Sequence, residues 1–541
     1  MEALNSFYDE CNEDGVNVKS DVTTADESEV INNSNNDSSD NDNNDAGYAL
    51  IGGCHDLQKL KEGLDGIHVL NPNGSTSIET DDKDDNEKEQ KIKATAINSY
   101  TSAYSNFFFL ITKGETDSDD NKLYAMGRNE SGQLGLNDNI NRTQLTEVIF
   151  DPTKCQEKIK DIIKITTGKS HSLILFKSGY VYASGSNEFG QLGGIIKDGS
   201  GNKITTFTCI EKLKNDVADI ASGNDHNCIC TKQGRLYTFG HPEYCQLGDG
   251  ENGECIERAG KLSYRCVNVP QLIRNFVKKD RKNKIESKYD PAEIFIIQVA
   301  CGKNHTIVLE KVHESGAGGR VFTFGCGGYG RLGHNCVIDE PFAREITHFS
   351  NDFALRPNLA IKTIGGGIFN SYAINKSGVL FFWGTMPRKD ACIYPKVVEA
   401  VEEHETIQCQ LGNGYTLVLL SDGRVVGYGI PAASGRLGFP GNAGMCARPS
   451  FMDGVNDIVE NIGNVSKISA GNAHAVYIVN HDNQKSDESS KKLRKRIKKL
   501  KSMPVLPVAM PIEKDTKGKG GKAKAKKATT GKATKGPVKR K

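Results

Sequence analysis

The chain has 541 residues, 57 of them Gly and only 16 Pro, with 37% hydrophobic residues and a net charge of +1. Glycine above the usual ~7% with no Gly-X-Y period excludes collagen and points to many tight turns between short strands, and no apolar run reaches the ~18 residues of a membrane span. The near-zero charge hides a polarity: residues 1–46 hold thirteen Asp or Glu and one Lys (−12), whereas residues 491–541 hold twenty Lys or Arg and two acids (+18).

The opening stretch MEALNSFYDECNED has neither a basic start nor an apolar run, so it does not read as a secretion signal. Without secretion, the fifteen scattered Cys are expected as reduced thiols, many of them filling the core of an intracellular, soluble protein. Cys228-Ile-Cys230 is too short for a zinc knuckle and no Cys-x-x-Cys pair exists, so no metal site is expected. Residues 1–46, rich in Asn, Asp and Ser, bury too little apolar surface to offset the entropy of ordering and read as a disordered acidic tail. Residues 48–53 (YALIGG) read as a lone strand, and 73–94 as a disordered insertion. The ordered body is placed at 47–480.

One unit recurs through that body. Its first half is a strand ending in Gly, then a turn, then Gly-Gln/Arg-Leu-Gly: LYAMGRNESGQLG (123–135), VYASGSNEFGQLG (181–193), LYTFGHPEYCQLG (236–248) and VFTFGCGGYGRLG (321–333). LFFWGTMPRKD (380–390) has lost the Gln-Leu-Gly, and VVGYGIPAASGRLG (425–438) carries one extra residue. Upstream of each strand lies Gly-x-x-His followed by an apolar strand: GKSHSLILFKSG (168–179), GNDHNCICTKQG (223–234), GKNHTIVLE (302–310) and GNAHAVYIV (471–479), with Asn370 and Tyr415 at the His place in two further copies. The strand-ending Gly steps from 127 to 185, 240, 325, 384 and 429. Repeats of ~40–50 residues or more, built from about four short strands, are propeller blades. The lone strand at 48–53 pairs with the unpartnered strand at 471–479, which closes an all-β, seven-bladed β-propeller through both chain ends and removes its exposed edges. Alternation such as Leu-Tyr-Thr-Phe predicts one packed face per strand, and the Leu of Gln-Leu-Gly is expected to plug the space between blades. His171, His226, His305 and His474 share one repeat position in different blades, so each is expected as a buried ring bridging backbone groups rather than as a metal ligand.

These units resemble the repeats of the regulator of chromosome condensation family, whose members form seven-bladed propellers. The resemblance covers residues 48–53 and about 97–480. LYTFGHPEYCQLG with the following ERAGKLSYRCVNVPQLI, VFTFGCGGYGRLGH and LFFWGTMPRKDACIYPK look like the family's second type, which shares the loss of Gln-Leu-Gly in the Trp383 blade. In that type the basic stretch precedes the propeller; here it follows, and the N-terminal segment is acidic.

The family's founding member, a Ran exchange factor, has an Asp in a similar Ser-Gly-Asn-Asp-His string on the face that meets its GTPase. The resemblance therefore makes Asp225 a GTPase-contact candidate; the alternative is a turn acid satisfying nearby N–H groups. His305 in GKNHT resembles another functional His of the family by its local string. The founding member also carries a β-hairpin wedge, so the insertion at about 250–290, with Tyr264, Arg265, Arg274 and the cluster KKDRKNK (278–284), becomes the partner loop; the alternative is a solvated basic loop. The resemblance implies a monomeric, chromosome-associated adaptor that binds small GTPases of the Rho, Ral or Ran type. It implies a place in the nucleus and on chromosomes, with a cytoplasmic pool, and a role in mitosis or chromatin-linked signalling. An active guanine-nucleotide exchange factor is the alternative, and a cytoplasmic scaffold with a lipid-binding tail is a third reading.

Residues 481–541 read as a disordered basic tail. Lys491, Lys492, Arg494, Lys495, Arg496, Lys498 and Lys499 in KKLRKRIKKLK fit a nuclear import signal that also binds nucleic-acid phosphates without sequence specificity. Leu493, Ile497 and Leu500 fall at i, i+4 and i+7, which leaves open an amphipathic helix for an acidic membrane or a calmodulin-like partner, and a merely solvated tail is the third reading. No Walker loop, HExxH or GxSxG is present and no cofactor is expected. Nucleotide exchange would need no covalent chemistry, only stabilisation of the nucleotide-free GTPase.

Overall fold

In the computed structural model, residues 47–52, 67–69 and 96–480 are described, save short internal stretches at 114–119, 196–201, 258–259, 281, 314–317, 350–357, 386–390, 430–445, 453–463 and 473. The tails and the insertion expected at 73–94 lie outside the described residues.

Four-stranded antiparallel units follow one another along the chain. Strands at 96–147, 162–209, 217–272, 296–345, 361–397 and 406–451 make six of them, blades 1 to 6. The seventh combines Val465–Ala470 and Ala475–Asn480 from one chain end with Gly47–Gly52 and Ile67–Val69 from the other. Gly47–Gly52 pairs along its whole length with Ala475–Asn480, from Gly47↔Asn480 to Gly52↔Ala475. Blades 7 and 1 form one continuous eight-stranded sheet only through the single pair Gly47↔Ala96, which is why six large sheets carry seven blades. The closure expected from the lone strand is therefore the observed one.

The expectation of one packed face per strand holds only at the blade rims. Outer strands such as Arg142–Glu147, where only Leu145 is buried, leave most of their residues to solvent, but second strands such as Phe107–Thr112 and His226–Thr231 are buried throughout. Blades stack face to face, so an inner strand is covered on both sides, as in a sandwich core. The polar residue in Leu-Tyr-Thr-Phe is then satisfied inside: Thr238 Oγ1 donates to the Leu247 carbonyl at 2.7 Å, and Thr323 Oγ1 to that of Leu332 at 2.7 Å. In blades 1 and 2 the Leu of Gln-Leu-Gly plugs an interblade core: Leu134 packs with Ile174 and Phe207 of the next blade, Leu192 with Ile229 and Phe239.

The repeat glycines explain themselves at two places. Gly240, at φ 113°, would carry its Cβ 2.5 Å from the Asp225 carbonyl, so no side chain fits where the third strand meets the Gly-x-x-His turn. Gly223 would carry a Cβ 2.0 Å from the His226 ring, which packs flat against it, while its N–H closes the turn on the His226 carbonyl at 2.8 Å.

Half of the long insertion belongs to the fold. Phe276–Lys279 and Ile285–Tyr289 form a hairpin added to the rim of blade 4, where Phe276–Lys279 runs parallel to Glu340–Glu345. The expectation of one loop reaching for a partner is corrected here, because buried charge binds this half to the blade. Lys279 Nζ sits 2.7 and 2.8 Å from the Glu340 carboxylate oxygens, Arg344 donates to Asn283 Oδ1 at 2.8 Å, and the Tyr289 hydroxyl donates to Glu345. Arg320 stacks 4.1 Å from the centroid of the Tyr289 ring while holding Glu310 through two 2.6 Å contacts. Lys279→Ala removes the nearer counter-charge of the buried Glu340 carboxylate and leaves it Arg344 at 3.5 Å, so the cost is expected below the roughly 3–5 kcal/mol of a fully broken buried pair, at about 1–3 kcal/mol. The urea unfolding midpoint is expected to fall accordingly; equal midpoints for wild type and Lys279→Ala would refute the pairing.

Candidate functional site

The two ends of each blade are chemically distinct. Strand registers pair the His position with the strand-ending Gly in blades 1 to 6, His171↔Gly185, His226↔Gly240 and His305↔Gly325 among them, so the Gly-x-x-His turns and the Gln-Leu-Gly turns share one face of the ring. We call it the upper face.

Beneath that face the histidines staple the blades. His171 Nε2 donates to Asn227 Oδ1 at 2.9 Å, His226 to Thr306 Oγ1 at 3.1 Å and His305 to Ser371 Oγ at 2.9 Å, each acceptor lying in the next blade directly after its own His-position residue. Those acceptors donate in turn to the Gln191, Gln246 and Arg331 carbonyls of the preceding blade. Tyr415, at the His place of blade 6, reaches the Gly471 carbonyl at 3.0 Å, and blade 1 has Phe107 there, paired with Gly127. The partners are side chains rather than the backbone groups expected. His305 is fully buried in this ladder, so its expected contact with a GTPase is corrected to a structural role. Burial lowers the pKa of His171 and His305 and brings that of His226 down to about 3. Below the ordinary value of ~6.5 the unfolded chain therefore binds protons that the folded ring refuses, which removes about 1.4 kcal/mol per such histidine per pH unit. Stability to urea is expected to be level above pH 6.5 and to fall steadily from there toward pH 4; a level profile down to pH 4 would contradict neutral staples.

Asp225 stands half-exposed in the upper-face turn of blade 3, where the Asn224 side chain donates to its carboxylate. Val267–Leu272 is the outer strand of that blade, with Val267 beside Gly240 and Leu272 beside Tyr237. Tyr264 and Arg265 precede it and so share the upper face with Asp225, whereas Arg274 follows it and lies at the other end, six strand residues or about 20 Å away. The structure thus splits the expected constellation.

Tyr264 ends a second hairpin, Glu254–Ile256 with Leu262–Tyr264, whose last cross-strand pair Ile256↔Leu262 is 78% and 51% exposed. His241 ties this hairpin to the ring. Its imidazole lies edge-on to Phe189 at 4.4 Å, 5.8 Å from the Tyr264 ring and 3.8 Å from the Glu243 carboxylate. Burial lowers its pKa, against the pull of the carboxylates of Glu243, Asp225 and Glu188. Sequence reasoning missed Phe189 and His241, although both stand in quoted repeat copies at turn positions where the pattern demands no aromatic. The upper face of blades 2 and 3 therefore presents carboxylates, an aromatic cluster and an apolar hairpin tip, which suits a protein surface rather than a small substrate.

No group of His, Cys, Asp or Glu among the described residues could hold a metal, and the described cysteines are all free thiols. No described helix is long and apolar enough to cross a membrane. The basic positions Lys491 to Lys499 lie outside the described residues.

Seven four-stranded blades, closed by both chain ends and stapled through a Gly-x-x-His turn, define a repeat propeller of one class. The family model described as "Regulator of chromosome condensation (RCC1) repeat" matches residues 120–175, 233–309 and 318–356, and a second model of the same description matches 162–191 and 217–246. Over these residues the chain carries regulator of chromosome condensation repeats. It is 32% identical to the Protein RCC2 homolog of Xenopus laevis over 59% of its own length and 58% of that protein, and 32% identical to human Protein RCC2 over 59% and 56%. The chain thus spans less than three-fifths of these curated relatives. Among solved structures, human WBSCR16 superposes with a TM-score of 0.58 at 18% identity over 80% of this chain and 99% of its own. Yeast RCC1 (Prp20), solved with Kap60 bound, superposes with a TM-score of 0.57 at 15% identity over 90% of this chain and 100% of its own. These two share the fold.

Proposed function

We propose that the protein is a chromosome-associated adaptor that works in mitosis or chromatin-linked signalling by holding a small GTPase on its upper face and nucleic acid or chromatin through its basic tail. One observation carries the two-ended reading. Ala475–Asn480 starts at His474 on the upper face, so Asn480 and its partner Gly47 lie at the lower end of blade 7. The last described residue, Asn480, therefore stands on the face opposite Asp225 and the Tyr264 hairpin, which favours two partners that do not compete for space. A Rho-, Ral- or Ran-type GTPase is favoured by the resemblance of the Asp225 string and by similarity to the RCC2 proteins. The nuclear location rests on the same similarity and on the composition of 491–499.

Active nucleotide exchange is the second reading, and the hairpin favours it. An exposed apolar tip beside an acidic turn is the kind of element that prises apart a nucleotide pocket by binding the empty state better. The test loads Ran-, Rac-, Rho- and Ral-type GTPases with fluorescent GDP and adds the whole chain. Binding without faster release supports the adaptor, release accelerated at least tenfold for one member supports exchange, and no binding to any member overturns both. Asp225→Ala is expected to weaken binding about tenfold, the loss of one charge-assisted contact, with the melting temperature unchanged because the carboxylate is half in water. Equal affinities for variant and wild type would leave Asp225 a turn acid.

A further inference from the structure

The Gln of Gln-Leu-Gly has the same task in three blades. Its side-chain oxygen accepts the backbone N–H two residues earlier: Gln133 from Ser131 at 2.9 Å, Gln191 from Phe189 at 2.8 Å and Gln246 from Tyr244 at 2.7 Å. Blade 4 has Arg331 there, and a guanidinium offers no acceptor. Tyr329, two residues before it, stands in the left-handed region at φ 62°, ψ 12°, which costs a non-glycine residue about 1–2 kcal/mol. Arg331 turns toward the next blade instead. Its Nε donates to the Gly328 carbonyl at 2.8 Å and its Nη1 to the Ile368 carbonyl at 3.0 Å.

Two features set this arginine apart. The first is charge. Arg331 is 3% exposed, yet no carboxylate among the described residues is within ion-pair distance of it. The other buried cations of the blade, Lys279, Arg320 and Arg344, each have one, at 2.7, 2.6 and 3.5 Å. A buried charge without a counter-ion is strongly unfavourable, and burial accordingly lowers the arginine's pKa. The second feature is the cover. The guanidinium lies 5.7 Å from the Tyr329 ring centroid and 5.1 Å from that of Phe369, whose rings are 4.9 Å apart and 54% and 38% exposed. Ile338, whose carbonyl rests against Gly327 of the same turn, is also exposed. Cation–π contact supplies part of what a counter-ion would, about 0.5–2 kcal/mol, and leaves the charge unneutralised.

We propose that Arg331, Tyr329, Phe369 and Ile338 form a docking site on the upper face for an acidic segment of a partner polypeptide, one that presents Asp or Glu next to an apolar residue. The carboxylate reaches the guanidinium past the aromatic rings, and the apolar neighbour lies on Ile338 and Phe369. The sign of the charge argues for this occupant: Asp339, which accepts the Gly327 N–H of the same turn, acts on the guanidinium only from beyond ion-pair distance, so the place against it is open to an anion, and its rim is apolar. It does not depend on the GTPase reading, and its charge is opposite to that of Asp225 on the same face.

The repeat supplies the test variant. Arg331→Gln restores the residue of three other blades, with an acceptor for the Tyr329 N–H, so it is expected to fold and to melt at the wild-type temperature or above. A random dodecapeptide display library is panned on the full chain with the Arg331→Gln chain as counter-selector. The leading peptide is then synthesised and titrated by fluorescence anisotropy. Enrichment of Asp or Glu beside Leu, Ile or Phe is expected, with affinity lost at least tenfold on Arg331→Gln, on Phe369→Ala and on amidation of the peptide's acids. Peptides without acidic enrichment, equal affinity for Arg331→Gln and wild type, or binding that demands a phosphoserine where Glu fails would each overturn the proposal.

Discussion

A chain that starts at residue 95 is expected to melt about 5 °C or more below the full chain. Such a chain lacks Gly47–Gly52 and Ile67–Val69, and blade 7 keeps only Val465–Ala470 and Ala475–Asn480. Val476 to Val479, fully buried in the closed ring, would then lie at an open sheet edge. Six register pairs disappear with the first strand, as does the Gly47↔Ala96 link to blade 1. At a net ~1 kcal/mol per lost hydrogen bond, plus uncovered apolar surface at about 25 cal/mol per Å², the loss is on the order of 5 kcal/mol or more. At about 2.1 cal/mol/K per residue, a ring of this size shifts by roughly 1 °C per kcal/mol. The exposed edge also offers itself to other chains, so the shortened protein is expected to aggregate on heating. Differential scanning calorimetry measures the shift, and a peptide of residues 47–69 added in trans should restore part of it. A shortened chain that melts like the full one would mean that the ring is closed by other contacts.

That closure was readable because it rests on a local pattern. A strand with no partner at one end and another at the other end need each other, and edge chemistry says why. The staples were half readable. Gly-x-x-His recurs, but nothing in a string tells that the ring spans to the next blade and meets the residue after the next His position. His305 shows the consequence: a matching local string suggested a surface contact, and the interblade ladder claims the side chain. The insertion shows the other limit. The hairpin Phe276–Tyr289 gains its place through a parallel pairing with a strand some 65 residues downstream, and its Lys279 finds Glu340 there. A run such as KKDRKNK reads as solvated because partner carboxylates so distant leave no local trace. The site follows the same rule. Asp225, Tyr264 and Arg265 come together because the outer strand of blade 3 brings the hairpin back to the Gly240 end, and that same strand carries Arg274 away. Arg331, by contrast, was visible as a Gln-to-Arg exchange in the repeat, and its meaning emerged only once the Gln side chains proved to close their turns.

Removing residues 491–541 is expected to abolish most nucleic-acid binding while leaving the ring intact, because the last described strand ends at Asn480. The deleted segment carries +18, and the chain between residues 47 and 490 carries −5, so the propeller alone has no electrostatic reason to hold a polyanion. Lys with Ala and Gly supplies charge without side chains that read bases, so affinity comes from released counter-ions. If six to ten phosphates are neutralised, the full chain loses about 10³–10⁵ in affinity between 50 and 200 mM salt, with a slope near −0.9 per contact, and the deletion flattens that slope toward zero. The acidic segment 1–46, at −12, leaves from the same end of blade 7, since Gly47 pairs with Asn480. Oppositely charged flexible segments tethered at one point reach millimolar effective concentration, so the N-terminal carboxylates are expected to compete with DNA phosphates for the basic segment. Deleting 1–46 alone should therefore tighten DNA binding and steepen the salt slope, the reverse of the C-terminal deletion. Anisotropy titrations of a fluorescent 20-base-pair duplex at several salt concentrations read all three chains. Unchanged affinity after loss of 491–541 would remove the tail from the nucleic-acid interface, and unchanged affinity after loss of 1–46 would show that the acidic segment does not screen it.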